Sequence, residues 1–271
     1  MRKHKAERRR PLGRAQWNGA LLIGAIAFGT TGTTRAWAQA SLPDFSPVPA
    51  SANSAKEINA FLEADRKAMP PPGSVLFMGS STFALWKTLV QDFPEIPVIN
   101  RGFGGSLIQD STQYADRIAI PYRPKMIVMF AGTNDLAYGN KKPPQVLQEY
   151  EDFVAKIHSA LPDTRIVYIS INPTVARWKQ EADVLETNHL IEEFILKRRS
   201  ATQKLNYIDS HSPLLTADGQ PQPALEREDG LHLNAEGYRV FTSIIKPRIL
   251  ALAAQEGVLS RAKSSSTPTR S

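Results

Sequence analysis

Serine, histidine and aspartate occur in this sequence at positions from which they could act together on a carbonyl group. The apolar run that begins at Val75, VLFM, is followed by GSS, whose last residue is Ser81. A serine hydroxyl is a weak nucleophile at neutral pH, so it needs an adjacent base and a third group that orients the base. Asp229 and His232 lie three residues apart, a spacing that lets the carboxylate reach one imidazole nitrogen across a turn. The other nitrogen would then face Ser81, which predicts a nucleophilic triad.

Acyl transfer also requires hydrogen-bond donors that face the developing oxyanion. Gly105, in NRGFGGS, offers a backbone N–H with no side chain in the way, and Asn134, in AGTND, offers an amide side chain. The N–H of Ser81 would be a third donor at a helix start. The loop of Gly105 contains three glycines, so Gly102 and Gly104 are alternative donors.

Several of these features have simpler interpretations. Asp229 precedes Gly230, an Asp-Gly pair typical of a turn, and His232 would then be a histidine at a helix entry with no role. The GFGG segment could be a flexible turn or a phosphate-binding loop, but its spacing differs from G-x-G-x-x-G. The phosphate-binding interpretation of the glycine loop predicts a binding module of α/β type instead of an enzyme.

Arg177 and Trp178 follow the fourth apolar run and are predicted to line the same site. Arginine would contact an acidic group of a substrate, and tryptophan a sugar face or an acyl chain. A surface ion pair for Arg177 and a core-capping position for Trp178 are equally compatible with the sequence.

Apolar runs and helical periodicity predict the elements that position these residues. Continuous apolar runs are typical of strands buried on both faces of a parallel sheet; they cover 74–78, 96–100, 126–130, 165–171 and, more weakly, 205–209. Helices are predicted from Ser54, with Glu57 completing a capping box, over 106–118, 144–161 and 182–197, and after Asn234 toward Leu252, with a kink at Pro247. Trp86 is expected in the core on the first long helix.

Five strands separated by helices predict a three-layer α/β/α sandwich with a mostly parallel five-stranded sheet, flavodoxin-like in type. In such a sheet, ligands bind beyond the carboxyl ends of the strands. The loops that carry Ser81, Gly105, Asn134 and His232 would converge on that edge.

The distribution of charge and apolar residues predicts how the chain is divided. Residues 1–38 carry the whole net charge of +7, contain an apolar run at 19–28 and end in small residues, which together indicate a secretory signal peptide. That run is shorter than the roughly 20 residues of a membrane span, although an uncleaved anchor is the alternative. We expect a linker at 39–53, one domain at 54–256 and a disordered tail at 257–271, and a secreted or periplasmic protein without stable membrane insertion after cleavage.

Composition excludes several classes of function. The chain after residue 38 has no net charge, which argues against a nucleic-acid partner. It has no cysteine, so disulfides, a thiolate nucleophile and a cysteine zinc site are excluded. The chemistry inferred above requires no metal or organic cofactor, and none is expected. The residues do not specify an oligomeric state.

Four blocks in order, GSS at 79–81, a glycine in the loop 102–105, GTND at 132–135 and DGLH at 229–232, resemble those of the SGNH hydrolases, the GDSL-type esterases and lipases. The resemblance spans about 75–252. It implies that Ser81 is the nucleophile, His232 the base and Asp229 its partner, with Gly105 and Asn134 in the oxyanion hole.

The resemblance further implies a serine esterase that acts on carboxylic esters through an acyl-enzyme intermediate. The sequence has no long apolar insertion between the predicted strands that would form a lid, which favours short acyl or O-acetyl groups, while lysophospholipids and thioesters require the same catalytic residues. The substrate would be a small-molecule or glycan ester. One residue departs from the family's Gly-Asp-Ser block, because Ser80 stands in place of the aspartate. The alternative is a non-catalytic module on the same fold that binds glycans or cell surfaces.

Overall fold

A parallel sheet of five strands forms the centre of the protein. The computed structural model describes residues 44–49, 54–199 and 204–258, so the predicted signal peptide and the predicted tail beyond residue 258 lie outside the described residues. The strands are β1 (Val75–Gly79), β2 (Val98–Gly102), β3 (Met126–Phe130), β4 (Arg165–Ile169) and β5 (Leu205–Ile208).

All strand pairs are parallel, and their order across the sheet is β2-β1-β3-β4-β5. Gly79 at the end of β1 is in register with Gly102 of β2 and with Phe130 of β3. Because the chain winds away from β1 in both directions, the gap between the ends of β1 and β3 is a topological switch point, where ligands bind in doubly wound folds.

Helices cover both faces of the sheet, as the alternation of strands and helices predicts. The α-helices are α1 (Ala55–Lys67), α2 (Ser81–Ala84), α3 (Leu89–Asp92), α4 (Ile108–Ile118), α5 (Thr133–Ala137), α6 (Pro143–Ala160), α7 (Glu181–Arg198) and α8 (Ala235–Gln255). Short 3-10 helices occupy Ile120–Tyr122, Val175–Gln180, Ser212–Leu214 and Pro223–Leu225. No helix in 44–49, 54–199 or 204–258 is long and apolar enough to cross a membrane.

The two hydrophobic cores explain the continuous apolar runs. Side chains alternate between the faces of a strand: Leu76 and Met78 belong to the core that includes α1, α4, α6 and α7. Val75 and Phe77 belong to the opposite core, with residues of α2, α3 and α8. Both faces of β1 are therefore buried, and the predicted three-layer α/β/α sandwich is confirmed.

Several local expectations were wrong. Ser54 has a φ of 58° and makes no side-chain cap, so the capping box predicted for α1 does not form. Helix α4 begins two residues after the predicted start, because Oδ2 of Asp110 accepts the N–H of Leu107 and caps the helix there. Trp86 is buried, but it lies between the short helices α2 and α3 and not on a long helix.

The described part of the predicted linker, 44–49, packs against the domain. Val48 is buried, and the side chain of Asn59 in α1 accepts its N–H at 2.6 Å and donates to its carbonyl at 2.9 Å. Arg117 in α4 also bonds Asp44 at 2.7 Å. This stretch is fixed because both backbone polar groups of Val48 and its side chain have partners in the domain.

Candidate active site

Ser81 is placed by a sharp turn at the end of the central strand. Gly79 has a φ of 140°, and a Cβ at this position would lie 2.1 Å from the carbonyl oxygen of Phe130. The N–H of Ser80 donates to the same oxygen at 3.0 Å. Only glycine allows β1 and β3 to approach this closely at the turn. Ser81 is therefore the first residue of α2, at the carboxyl edge of the sheet.

The structure brings Ser81, His232 and Asp229 together. Nε2 of His232 lies 3.0 Å from Oγ of Ser81, and Nδ1 lies 2.7 Å from Oδ2 of Asp229. The second carboxylate oxygen of Asp229 accepts the N–H groups of Leu231 and His232, each at 2.9 Å. The aspartate thus closes the turn that carries the histidine and orients its imidazole at the same time.

The environment of Asp229 keeps its carboxylate ionised. Its hydrogen bond to the imidazole of His232, followed by the bonds from backbone N–H groups, lowers the pKa of Asp229 to about 2. A negative charge at this position favours the tautomer in which Nδ1 carries the proton, which leaves Nε2 free to accept one from Ser81.

Asn134 lies in α5, just beyond β3, and is buried. Its Nδ2 donates to the carbonyl of Ser106 at 3.0 Å, and its Oδ1 accepts from Nη2 of Arg177 at 3.0 Å. Asn134 lines the same pocket as Ser81. The predicted amide donor is therefore at the site, with its orientation fixed from two sides.

One of the three loop glycines is excluded as an oxyanion donor. The N–H of Gly102 donates to Oδ1 of Asn100 at 2.8 Å, and a Cβ on Gly102 would lie 2.4 Å from the nitrogen of Ala84. This glycine allows close packing and has no free N–H. Gly104 and Gly105 are exposed, and Gly105 has a φ of 68°. The choice of Gly105 over Gly104 stays a prediction.

Two cavities are lined by residues of the loops at this edge of the sheet. The pocket at Ser81 is lined by Ser81, Thr82, Phe130, Thr133, Asn134, Asn172, Pro173, Thr174, Arg177, Leu231, His232 and Leu233. A second, more open cavity is lined by Ser54, Gly104, Gly105, Leu107, Asp110, Tyr138 and Gly139. Arg177 belongs to the wall of the first cavity. Trp178 is half-buried and lies outside both sets of lining residues.

A buried carboxyl lies beside Asn134. Oδ1 of Asp135 accepts the N–H of Ile108 at 3.0 Å, which joins α5 to α4. Burial, reinforced by the neighbouring carboxylate of Glu149, raises the pKa of Asp135, while the N–H of Ile108 and the positive charge of Lys141 oppose the rise. Asp135 therefore connects the loop that carries Gly105 with the helix that carries Asn134.

Glu226 lies three residues before Asp229 and is not predicted from the sequence as part of this region of the site. Both of its carboxylate oxygens lie 3.3 Å from the N–H of Val175. Burial raises the pKa of Glu226 to about 7, and the charge of Asp229 adds to the rise, while the hydrogen bond from Val175 opposes it. The segment EREDG is rich in charge, a composition typical of exposed turns, so no signal in it indicated that its first residue is buried.

Within the part of the chain that the structure describes, no group of three or more His, Cys, Asp or Glu side chains is placed to hold a metal ion.

Three solved structures illustrate the similarity of this fold to known proteins. A GDSL-like lipase from Bacteroides thetaiotaomicron is 19% identical, with a TM-score of 0.60 over 72% of this chain and 98% of its own. The lipase/acylhydrolase from Enterococcus faecalis is 18% identical, with a TM-score of 0.56 over 71% of this chain and 100% of its own. A carbohydrate esterase of family 3 from Talaromyces cellulolyticus is 18% identical, with a TM-score of 0.54 over 68% and 99%.

A search of curated protein sequences found no match. Residues 73–240, more than half of the chain, match the GDSL-like Lipase/Acylhydrolase family, and this range contains all four blocks noted in the sequence. The chain belongs to this family, the SGNH hydrolases, and is a serine hydrolase of the GDSL type.

Proposed function

We propose that the protein is an exported esterase that hydrolyses short acyl or O-acetyl esters through a Ser81-His232-Asp229 triad. The observation that carries the proposal is the continuous line of bonds from Oγ of Ser81 to Nε2 of His232 at 3.0 Å and from Nδ1 to Asp229 at 2.7 Å. Nucleophile, base and orienting group are thus within the reach that proton transfer requires.

In the first half of the reaction, Oγ of Ser81 attacks the ester carbonyl carbon while Nε2 of His232 takes the hydroxyl proton. Asp229 stabilises the imidazolium that results. The oxyanion accepts hydrogen bonds from the N–H of Ser81, the N–H of Gly105 and the amide of Asn134. The bond from carbon to the leaving oxygen then breaks, and His232 protonates the departing alcohol.

In the second half, His232 takes a proton from water, which attacks the acyl-Ser81 carbonyl. The oxyanion of the tetrahedral intermediate accepts hydrogen bonds from the same donors. Its collapse releases the carboxylic acid and returns the proton from His232 to Oγ of Ser81. Each half-reaction therefore uses the same three donors, so loss of one of them should slow both acylation and deacylation.

A short acyl group is proposed because, within the described residues, the segments that connect the strands and helices contain no long apolar insertion that could form a lid over a long acyl chain. With acyl esters of p-nitrophenol, kcat/KM should fall as the chain lengthens from acetyl to octanoyl. A rise with chain length would contradict the short-acyl assignment and leave the triad unaffected.

Export is proposed on the pattern of residues 1–38, with its cationic start, apolar run and terminal small residues. N-terminal sequencing of the protein from the culture medium or periplasm should find a start at Gln39 or Ser41. A protein recovered only from the cytosol with Met1 intact would contradict this part of the proposal.

Replacing Ser81 by Ala tests the central proposal. The variant should keep the far-UV circular dichroism and melting temperature of the parent, lose hydrolysis of p-nitrophenyl acetate and fail to react with a fluorophosphonate probe. Ser80→Ala is the matched control. The hydroxyl of Ser80 is buried and should not react with the probe, so this variant should be labelled like the parent. Undiminished turnover by folded Ser81→Ala would overturn the assignment, and a parent that never reacts with the probe would favour the non-catalytic binding module.

A further inference from the structure

Arg177 bonds two consecutive residues at the start of α5. Its Nη1 donates to Oγ1 of Thr133 at 2.7 Å, and its Nη2 donates to Oδ1 of Asn134 at 3.0 Å. We infer that Arg177 is a positioning residue that fixes the Asn134 carboxamide so that a free amide N–H faces the oxyanion, an inference that rests on the function proposed above. It differs from the substrate contact that the sequence predicts for Arg177.

The partners of Asn134 determine which way its amide is turned. A guanidinium can only donate hydrogen bonds, so the atom that faces Arg177 must be the oxygen. A backbone carbonyl can only accept, so the atom 3.0 Å from the oxygen of Ser106 must be the nitrogen. One N–H of Nδ2 is thereby used by Ser106, and the other is left for a ligand in the pocket.

Without Arg177, the carboxamide of Asn134 is held in this orientation by one hydrogen bond instead of two. The terminal torsion of asparagine is broad, so a carboxamide held only at its nitrogen can swing away from the productive direction. Oxyanion donors accelerate a reaction because they are oriented before charge develops, and a donor that must first reorient loses that advantage. Arg177 therefore acts on the transition state through Asn134.

The charge of Arg177 adds to its geometric effect. A cationic donor on Oδ1 polarises the carboxamide and makes its N–H groups stronger donors, since linked hydrogen bonds reinforce one another. Two nitrogens of one rigid fork meet two acceptors on adjacent residues. Lysine carries one nitrogen on a flexible stem and cannot reproduce this arrangement.

The position of Arg177 is itself fixed. Its guanidinium carbon lies 4.8 Å from the centre of the Tyr138 ring, within cation–π distance. The preceding residue, Ala176, donates its N–H to the carbonyl of Gly230 at 2.8 Å. Gly230 belongs to the turn of Asp229 and His232, so the 3-10 segment that carries Arg177 joins the base to the oxyanion residue.

A double-mutant cycle separates this role from substrate binding. The kcat and KM for p-nitrophenyl acetate, a neutral ester, would be measured for the parent, Arg177→Ala, Asn134→Ala and the double variant. Removal of an oxyanion donor costs about 10²- to 10³-fold in kcat, so Asn134→Ala should lose that much and Arg177→Ala about 10- to 100-fold, mainly in kcat. In the Asn134→Ala background, Arg177→Ala should change kcat by less than about twofold.

Guanidinium chloride at millimolar concentration should restore part of the kcat of Arg177→Ala and none in the double variant. Lys179→Ala, which removes a neighbouring exposed cation, is the matched control for charge and should behave like the parent. If Arg177→Ala does not fold, Arg177→Lys undergoes the same cycle, and its kcat should also fall.

Additive losses in the double variant would overturn the inference, as would a loss confined to KM or to acidic esters, which would assign Arg177 to substrate binding. An Asn134→Ala variant with parental kcat would overturn it while leaving the triad intact. Failure of the proposed function itself is recognised separately, by turnover in the Ser81→Ala variant.

Discussion

The backbone N–H of Ile108 donates to Oδ1 of Asp135 at 3.0 Å, which joins the first residue of α4 to the residue beside Asn134. Asp135→Ala removes this acceptor and leaves a buried N–H without a partner, a change that costs about 1–3 kcal/mol in the free energy of unfolding. The kcat should fall as well, because α4, which follows the loop of Gly105, loses its connection to α5, which carries Asn134. Urea unfolding and ester hydrolysis would measure both effects.

Asp135→Asn is the control for this prediction. Its oxygen can still accept from Ile108, and a neutral side chain suits a buried position where burial raises the pKa of the carboxyl. We expect this variant to retain most of the stability and activity that the Ala variant loses. Equal losses in the two variants would show that the hydrogen bond is not the cause.

Gly79→Ala should disrupt the turn that presents Ser81. The added Cβ would lie 2.1 Å from the oxygen of Phe130, and a φ of 140° is unfavourable for alanine. Strain and overlap together should cost about 3–5 kcal/mol in the free energy of unfolding. Fluorophosphonate labelling of any folded fraction should be slower than in the parent, because Ser81 is displaced.

Gly219→Ala separates overlap from backbone strain. Gly219 has a φ of 74°, and a Cβ there would meet nothing within 4 Å. Gly219→Ala should therefore lower the free energy of unfolding only by the strain of an alanine in the left-handed region, about 1–2 kcal/mol. Similar unfolding energies for the two variants would mean that β1 and β3 can move apart to accept a side chain.

Asp229→Asn should lower kcat by about 10³- to 10⁴-fold, because an amide does not hold the imidazole in the required tautomer. Since His232 holds the pKa of Asp229 near 2, this carboxyl stays ionised between pH 5 and 8 and should add no ionisation to the kcat/KM profile there. Its contribution to stability is present above its ordinary pKa of 3.8 and is lost as the pH falls toward 2. An Asn variant with more than a tenth of parental kcat would contradict the role of Asp229.

Glu226→Gln should change how stability depends on pH. Because burial raises the pKa of Glu226 to about 7, above its ordinary value of 4.5, the folded protein binds this proton more tightly than the unfolded chain does. The contribution of Glu226 to the free energy of unfolding is therefore fully present below pH 4.5 and is lost as the pH rises through 7. The Gln variant lacks that decline, so its melting temperature relative to the parent should be higher at pH 8 than at pH 5. The same difference at both pH values would contradict the shifted pKa.

The strands and the residues at their ends could be predicted because the signals are contiguous in the sequence: each strand is an apolar run, and the polar residues directly follow it. β3 was predicted with its bounds unchanged, since both faces of the strand are buried and Met126–Phe130 is apolar throughout. Helices α2, α3 and α5 have only four or five residues, too few for a periodic pattern, and their ends are set by contacts with neighbouring strands.

The remaining features of the site depend on contacts between distant segments. The bond between Arg177 and Asn134 joins residues 43 apart, and nothing in NPTVARW indicates that its arginine reaches α5. The sequence does not distinguish Gly102 from Gly104 and Gly105, whereas the bond from the N–H of Gly102 to Asn100 does. The sequence did locate the edge of the sheet at which these residues meet.

The turn from Asp229 to His232 has a consequence for the order in which the site assembles. The acid and the base lie three residues apart and form their bond locally, whereas Ser81 is 151 residues from His232. Closing the long loop between serine and histidine is therefore the one distant encounter that the triad requires. Reactivity of Ser81 toward an acylating probe should therefore appear only when the segment of Ser81 and the segment of His232 have docked. The rate at which this reactivity appears during refolding would measure that docking step.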